Sequence, residues 1–222
     1  MNNQALKSYL TGSADNLDQA CRTLATQGPQ IVVPTLRMEL SILKEWGQFL
    51  IKPPEGLSAV GVAMAQRDAE NVIDHICNRT LKLVAEIGAC SVQSGKIVGE
   101  QMLIALEDRD ADLRALATLY STIKCIPSSV VSPTIAWLYF HDHDSLVKIG
   151  AALAMVGLPD IPDRVFEASA DLVKAFLENV AFQNFPTLVT KVRRTLYNED
   201  EGYQNIMIAT RSLFYLIAAR QG

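Results

Sequence analysis

The residue types best suited to chemistry lie in one run, His141-Asp142-His143-Asp144. Two imidazoles and two carboxylates in four positions could bind zinc or another divalent ion. The sequence holds one further histidine, His75, directly after Asp74. Adjacent and alternate residues on one turn rarely converge on a single ion without further ligands. A solvated turn that caps a helix is therefore the plainer reading of the run. Glu100, Glu107 and Asp108 could act as paired carboxylates in acid–base work, although charge on exposed helix is the commoner explanation. There is no nucleophile elbow, phosphate loop or zincin motif, and Gly56 to Gly61 is too sparse to cradle a phosphate.

What positions the run is a pattern that occurs twice, as LEDRDADLRALATLYSTIKCIP from Leu106 and as FHDHDSLVKIGAALAMVGLP from Phe140. Aligning Asp110 with Asp144 sets an offset of 34 residues, which also pairs Asp108 with Asp142, Ala117 with Ala151 and Leu119 with Leu153. An aspartate just before a helix satisfies amides at its open end and suits the positive pole of the dipole. The apolar residue that follows packs inward, and the cation after it (Arg114 or Lys148) can reach back over the turn. Gly157-Leu158-Pro159 stops the second copy.

Elsewhere apolar residues recur at three- and four-residue spacing, which predicts helices almost throughout. A first short helix spans 2–10, and Ser13 is the expected N-cap of a second. A third runs from Pro34 to Ile51. Lys52-Pro53-Pro54-Glu55-Gly56 is an inter-helix loop in what reads as one domain over 1–222, with 52–56 as the possible sub-boundary. A helical pattern over 58–89 is expected to break near Asn78-Arg79-Thr80, with a turn over Gly88–Gly95 and helices at 96–106 and 132–140 beyond. Asp163 caps a helix to Val180 that turns Phe166, Ala170, Val173 and Leu177 inward. A basic helix over 187–197 carries Lys191, Arg193 and Arg194, and a last helix runs from Tyr203 to Arg220.

Hydrophobic residues make up 49% of the 222 and charged residues 20%, enough for a substantial core. The net charge of −4 argues against capture of nucleic acid, which needs a basic face. No segment nears the ~18 apolar residues that span a bilayer. The start Met1-Asn2-Asn3-Gln4 predicts no secretory signal. The four dispersed cysteines read as free buried thiols in a reducing, cytoplasmic setting.

At the duplicated residues the sequence resembles HEAT-type helical repeats. In these the second helix opens on an aspartate, an apolar residue and Arg or Lys, followed by alanines and a terminal Gly and Pro. The resemblance covers about 106–159. It implies an all-α array of stacked antiparallel helical hairpins, an α-solenoid; an irregular multi-helix bundle is the alternative. A period near this length with two helices per unit suits the solenoid. Members of such families are mostly scaffolds and adaptors. The resemblance therefore implies a non-enzymatic module, without cofactor, that binds another protein as an adaptor, chaperone-like binder or assembly subunit.

Two surfaces are candidates for that contact. The last helix is apolar on most sides, with Leu213, Phe214 and Ile217 available to a partner or to a second copy in a homodimer, although burial within the chain is the default. Lys191, Arg193 and Arg194 could dock an acidic segment. The alternative function is an enzyme. His75, the His141-Asp142 pair and a later Asp resemble, in order, the ligands of helical HD-class metal-dependent phosphohydrolases, with His143 beside them. A helical-repeat DNA glycosylase is a further family-level option, weakened by having only Trp46 and Trp137 and by the acidity.

Overall fold

Asp110 and Asp144 each close the start of a helix with their own side chain, and each is itself held by the aspartate two residues before it. Asp108 Oδ1 accepts the Asp110 amide at 2.9 Å, and Asp110 Oδ1 accepts the Asp112 amide at 2.9 Å. In the second turn Asp142 Oδ1 accepts the Asp144 amide at 2.8 Å. Asp144 Oδ1 then accepts the amides of Leu146 and Val147 at 2.9 and 3.3 Å. The aspartates at the offset of 34 thus play the same two roles, one fixing the turn and one capping the helix.

The computed structural model describes residues 3–158, 162–180 and 202–220, and among these the fold is all-α with no strand. In order the helices are α1 (Asn3–Thr11), α2 (Leu17–Ala25), α3 (Val32–Ile51), α4 (Ala59–Ala89), α5 (Val92–Leu106), α6 (Ala111–Tyr120), α7 (Ser128–His141), α8 (Ser145–Gly157), α9 (Asp163–Val180) and α10 (Gly202–Ala219). A 3₁₀ turn, Pro29–Ile31, leads into α3. No helix among the described residues is long and apolar enough to cross a membrane.

Helices α5 and α6 form one hairpin and α7 and α8 a second. They stack like on like, α5 against α7 and α6 against α8. Helix α10 returns to lie on α3 and also meets α6 and α8. Its approach to α3 is close enough that a Cβ on Gly47 would stand 2.0 Å from the Ala218 carbonyl oxygen, so only glycine fits there. The buried apolar side chains form one cluster that runs from Leu6 to Ala219.

Several local expectations are corrected. Helix α4 is continuous over 31 residues and does not break at Asn78–Thr80. Helix α1 braces that stretch: the Tyr9 hydroxyl donates to the Arg79 carbonyl (3.0 Å), and Arg79 Nη1 donates to the Leu10 carbonyl (2.7 Å). The cap of α2 is Asn16, whose Oδ1 accepts the Gln19 amide; Ser13 Oγ donates instead to the Ser8 carbonyl. Helix α5 opens at Ser91, not Lys96, because the Ser91 hydroxyl accepts the Ser94 amide. Phe166 is 45% exposed, and α9 buries Val173 and Phe176.

The last helix also differs in role. Leu213, Phe214 and Ile217 are 0%, 9% and 0% exposed, because α10 fills the space beside α3, α6 and α8. They are core residues and have no surface to offer a partner or a second copy. Arg220 pins the end of this helix to both capped turns, with Nη1 3.0 Å from Asp112 and Nη2 2.5 Å from Asp144. Lys44 of α3 joins the network at 2.8 Å from Asp112. Lys191, Arg193 and Arg194 lie outside the described residues.

Candidate functional site

The turn before α6 and the last turns of α7 enclose a cleft of about 950 Å³. Its apolar lining comes from buried Leu106 and Leu138 and from Pro133, and its polar lining includes Glu107, Asp108, Arg114, His141, Asp142 and His143. That size and lining are those of a small-molecule site, apolar with a few convergent polar groups.

Trp137 forms one wall. It sits one helical turn before His141, a spacing that puts both side chains on one face of α7. Their rings stack at 5.3 Å with 19° between planes, and the indole stays 57% exposed. His141 Nδ1 lies 3.1 Å from the Trp137 carbonyl oxygen. A carbonyl can only accept, so the ring nitrogen that faces it, Nδ1, carries a proton. That contact and the stacking together orient the imidazole at the cleft.

Arg114 links the turn before α6 to the turn before α8. Its Nε donates to Asp142 Oδ2 at 2.8 Å and its Nη2 to Asp142 Oδ1 at 3.1 Å. Its Nη1 reaches back to the carbonyls of Asp108 and Arg109 at 2.9 and 3.1 Å. Burial pushes the Asp142 carboxyl up, but the Arg114 guanidinium and the Asp144 amide more than offset this and hold it below the usual range. Asp144 is likewise pushed up by burial and held low by Arg220 and its capped amides. Asp108 is occupied by Arg37 at 2.6 Å. Among the described residues Glu107 and His143 have no such partner.

The metal reading does not assemble. His75 lies on α4, next to the Asp74 that pairs with Arg211 of α10, and it does not line the cleft. Asp142, His141 and His143 do line it, but Asp142 is committed to Arg114. Among the described residues no three His, Cys, Asp or Glu side chains are placed to share an ion. The phosphohydrolase set of His75, His141 and Asp142 is therefore not brought together, because Asp142 fixes the turn before α8 and pairs with Arg114.

The thiols are poorly suited to nucleophilic work. All four are free, and burial pushes the thiols of Cys21, Cys77 and Cys125 up, away from the reactive thiolate. Cys90, at the end of α4, is exposed and donates to the Glu86 carbonyl.

No protein-family model matches the chain, and no solved structure does. The chain is 25% identical over 156 residues to imidazole glycerol phosphate synthase subunit HisH of Exiguobacterium sibiricum, covering 70% of this chain and 71% of that protein. This likeness overturns the expectation of a non-enzymatic binding module, since the similar protein is a subunit of an enzyme.

Reasoning from the sequence found His141–Asp144 and Glu107 but missed the wall that makes them a site. Trp137 was visible four residues before His141, an aromatic pair at helical spacing. Arg114 was visible as the cation after the cap, and its partner 28 residues away was not.

Proposed function

We propose that the chain works in an enzyme, as the subunit that holds a small molecule in the cleft between the α5–α6 turn and α7. The observation that carries this reading is His141. Its ring is stacked on an exposed tryptophan and fixed by a backbone carbonyl through Nδ1, which leaves Nε2 for a bound ligand. The likeness to an enzyme subunit supports the enzymatic part and the expectation of a protein partner. Among the described residues the chemical groups of this cleft come from the end of α7 and the two capped turns.

The same reading takes 92–157 as two HEAT-like units. Its support is the duplicated aspartate cap, the like-on-like stacking of the two hairpins and the Arg114–Asp142 pair between them.

A fragment screen by protein NMR tests the cleft. Hits are expected to shift the Trp137 indole N–H and the His141 ring together, and His141→Gln is expected to weaken them without unfolding the chain. A broad library that leaves both rings unmoved would contradict the proposal.

A further inference from the structure

The charge around the cleft is specific enough to name the class of ligand. The lining carries three carboxylates, from Glu107, Asp108 and Asp142, against one guanidinium, from Arg114. That guanidinium is spent: Nε and Nη2 hold Asp142, and Nη1 holds two carbonyls. A phosphate or carboxylate entering here would have to break a bidentate pair whose acid is 6% exposed, which would leave a buried anion behind. Arg37 sits outside the lining and is paired with Asp108.

Two of the groups left for a ligand point the other way. Glu107 is exposed at the rim, with no ion-pair partner among the described residues. The Trp137 indole offers an open face, and such faces attract cations. Each of these recognises N–H groups and positive charge.

We infer that the ligand of this cleft is a planar aromatic cation, held between the Trp137 ring and the Glu107 carboxylate, and not a phosphate ester. This rests on the reading of the cleft as a small-molecule site. The competing features of the surface are already satisfied internally: Lys44 and Arg220 are paired with Asp112 and Asp144, and Arg211 with Asp74.

Calorimetry with three probes of similar shape, benzamidinium, benzamide and phenyl phosphate, tests the inference. Benzamidinium is expected to bind at least tenfold more tightly than phenyl phosphate. Glu107→Gln, an exposed and isosteric change, is expected to weaken it about five- to tenfold, and Trp137→Ala similarly. Phenyl phosphate binding as well as benzamidinium, or benzamidinium binding that ignores Glu107→Gln, would overturn the inference and leave the cleft standing. Silence of all three probes, while other library members shift the Trp137 and His141 signals, would also overturn it. Silence across the whole library would remove the cleft reading itself.

Discussion

Arg114 of the first duplicated unit clasps Asp142 of the second, with Nε 2.8 Å from Oδ2 and Nη2 3.1 Å from Oδ1. One residue pair thus joins the two hairpins, fixes the turn that caps α8, and forms part of the cleft rim. The two side chains are 18% and 4% exposed, so water contributes little to screening them.

Removing the cation should therefore be costly. Arg114→Ala leaves the Asp142 carboxylate buried and unpaired, and a loss of about 3 kcal/mol in urea unfolding is expected. Arg114→Lys, which cannot reproduce the two-pronged contact, should fall between the two. The acid limb carries the sign. A carboxyl held below its unfolded value, as Asp142 is, contributes stability above about pH 4 and loses it as pH falls further. Acid unfolding of Arg114→Ala should begin at higher pH than in the parent protein. Coincident acid curves would refute the role given to the pair.

Glu39 should impose the opposite pH dependence. It is 0% exposed in the core; Tyr120 donates a short hydrogen bond to Oε1, and Oε2 has no completed bond. Burial pushes its carboxyl up to about 8, although Tyr120, Thr80 and Cys77 temper the effect. An acid with a raised folded value is most favourable to folding below its unfolded value of about 4.5. It then costs ~1.4 kcal/mol per pH unit up to about pH 8. Stability measured at pH 5, 6.5 and 8 should fall in the parent protein and fall less in Glu39→Gln. Parallel profiles for the two proteins would show that Glu39 does not titrate in this window.

The contact of α3 with α10 tolerates no side chain at Gly47. Gly47→Ala places its Cβ on the Ala218 carbonyl oxygen, and a loss of about 2–3 kcal/mol is expected as the helices separate. Gly157→Ala is the control, since its Cβ meets only Thr122, at 3.5 Å and beyond. Equal melting behaviour for the two variants would contradict the packing described.

Leu213→Ala distinguishes core from interface. A loss of ~2–5 kcal/mol in stability, with the solution mass unchanged, is expected for a fully buried leucine. A change of oligomeric state with stability preserved would restore the interface reading.

The local features were legible where sequence neighbours decide them. The two capped turns, the cation that reaches back from Arg114, and the helical content all follow from spacing within a few residues. What was not legible depends on distant partners. Nothing near Asn78 says that Tyr9 and Leu10 will brace α4 there, and nothing near Glu39 says that Tyr120 will meet it. The apolar faces of α10 favour burial but leave an interface open, and its insertion beside Gly47 decides for burial. The cleft was half visible: the acidic turn was found as a cluster, and the Trp137–His141 wall needed the helix expected over 132–140 to extend to His141.

The most direct test of the cleft uses the fluorescence of the two tryptophans. With Trp46→Phe, Trp137 becomes the sole emitter, and its emission is expected to shift and quench on titration with benzamidinium. With Trp137→Phe, where Trp46 alone reports, the same titration should be flat. A response that follows Trp46, or one absent from both variants, would contradict a cation site at Trp137 and Glu107.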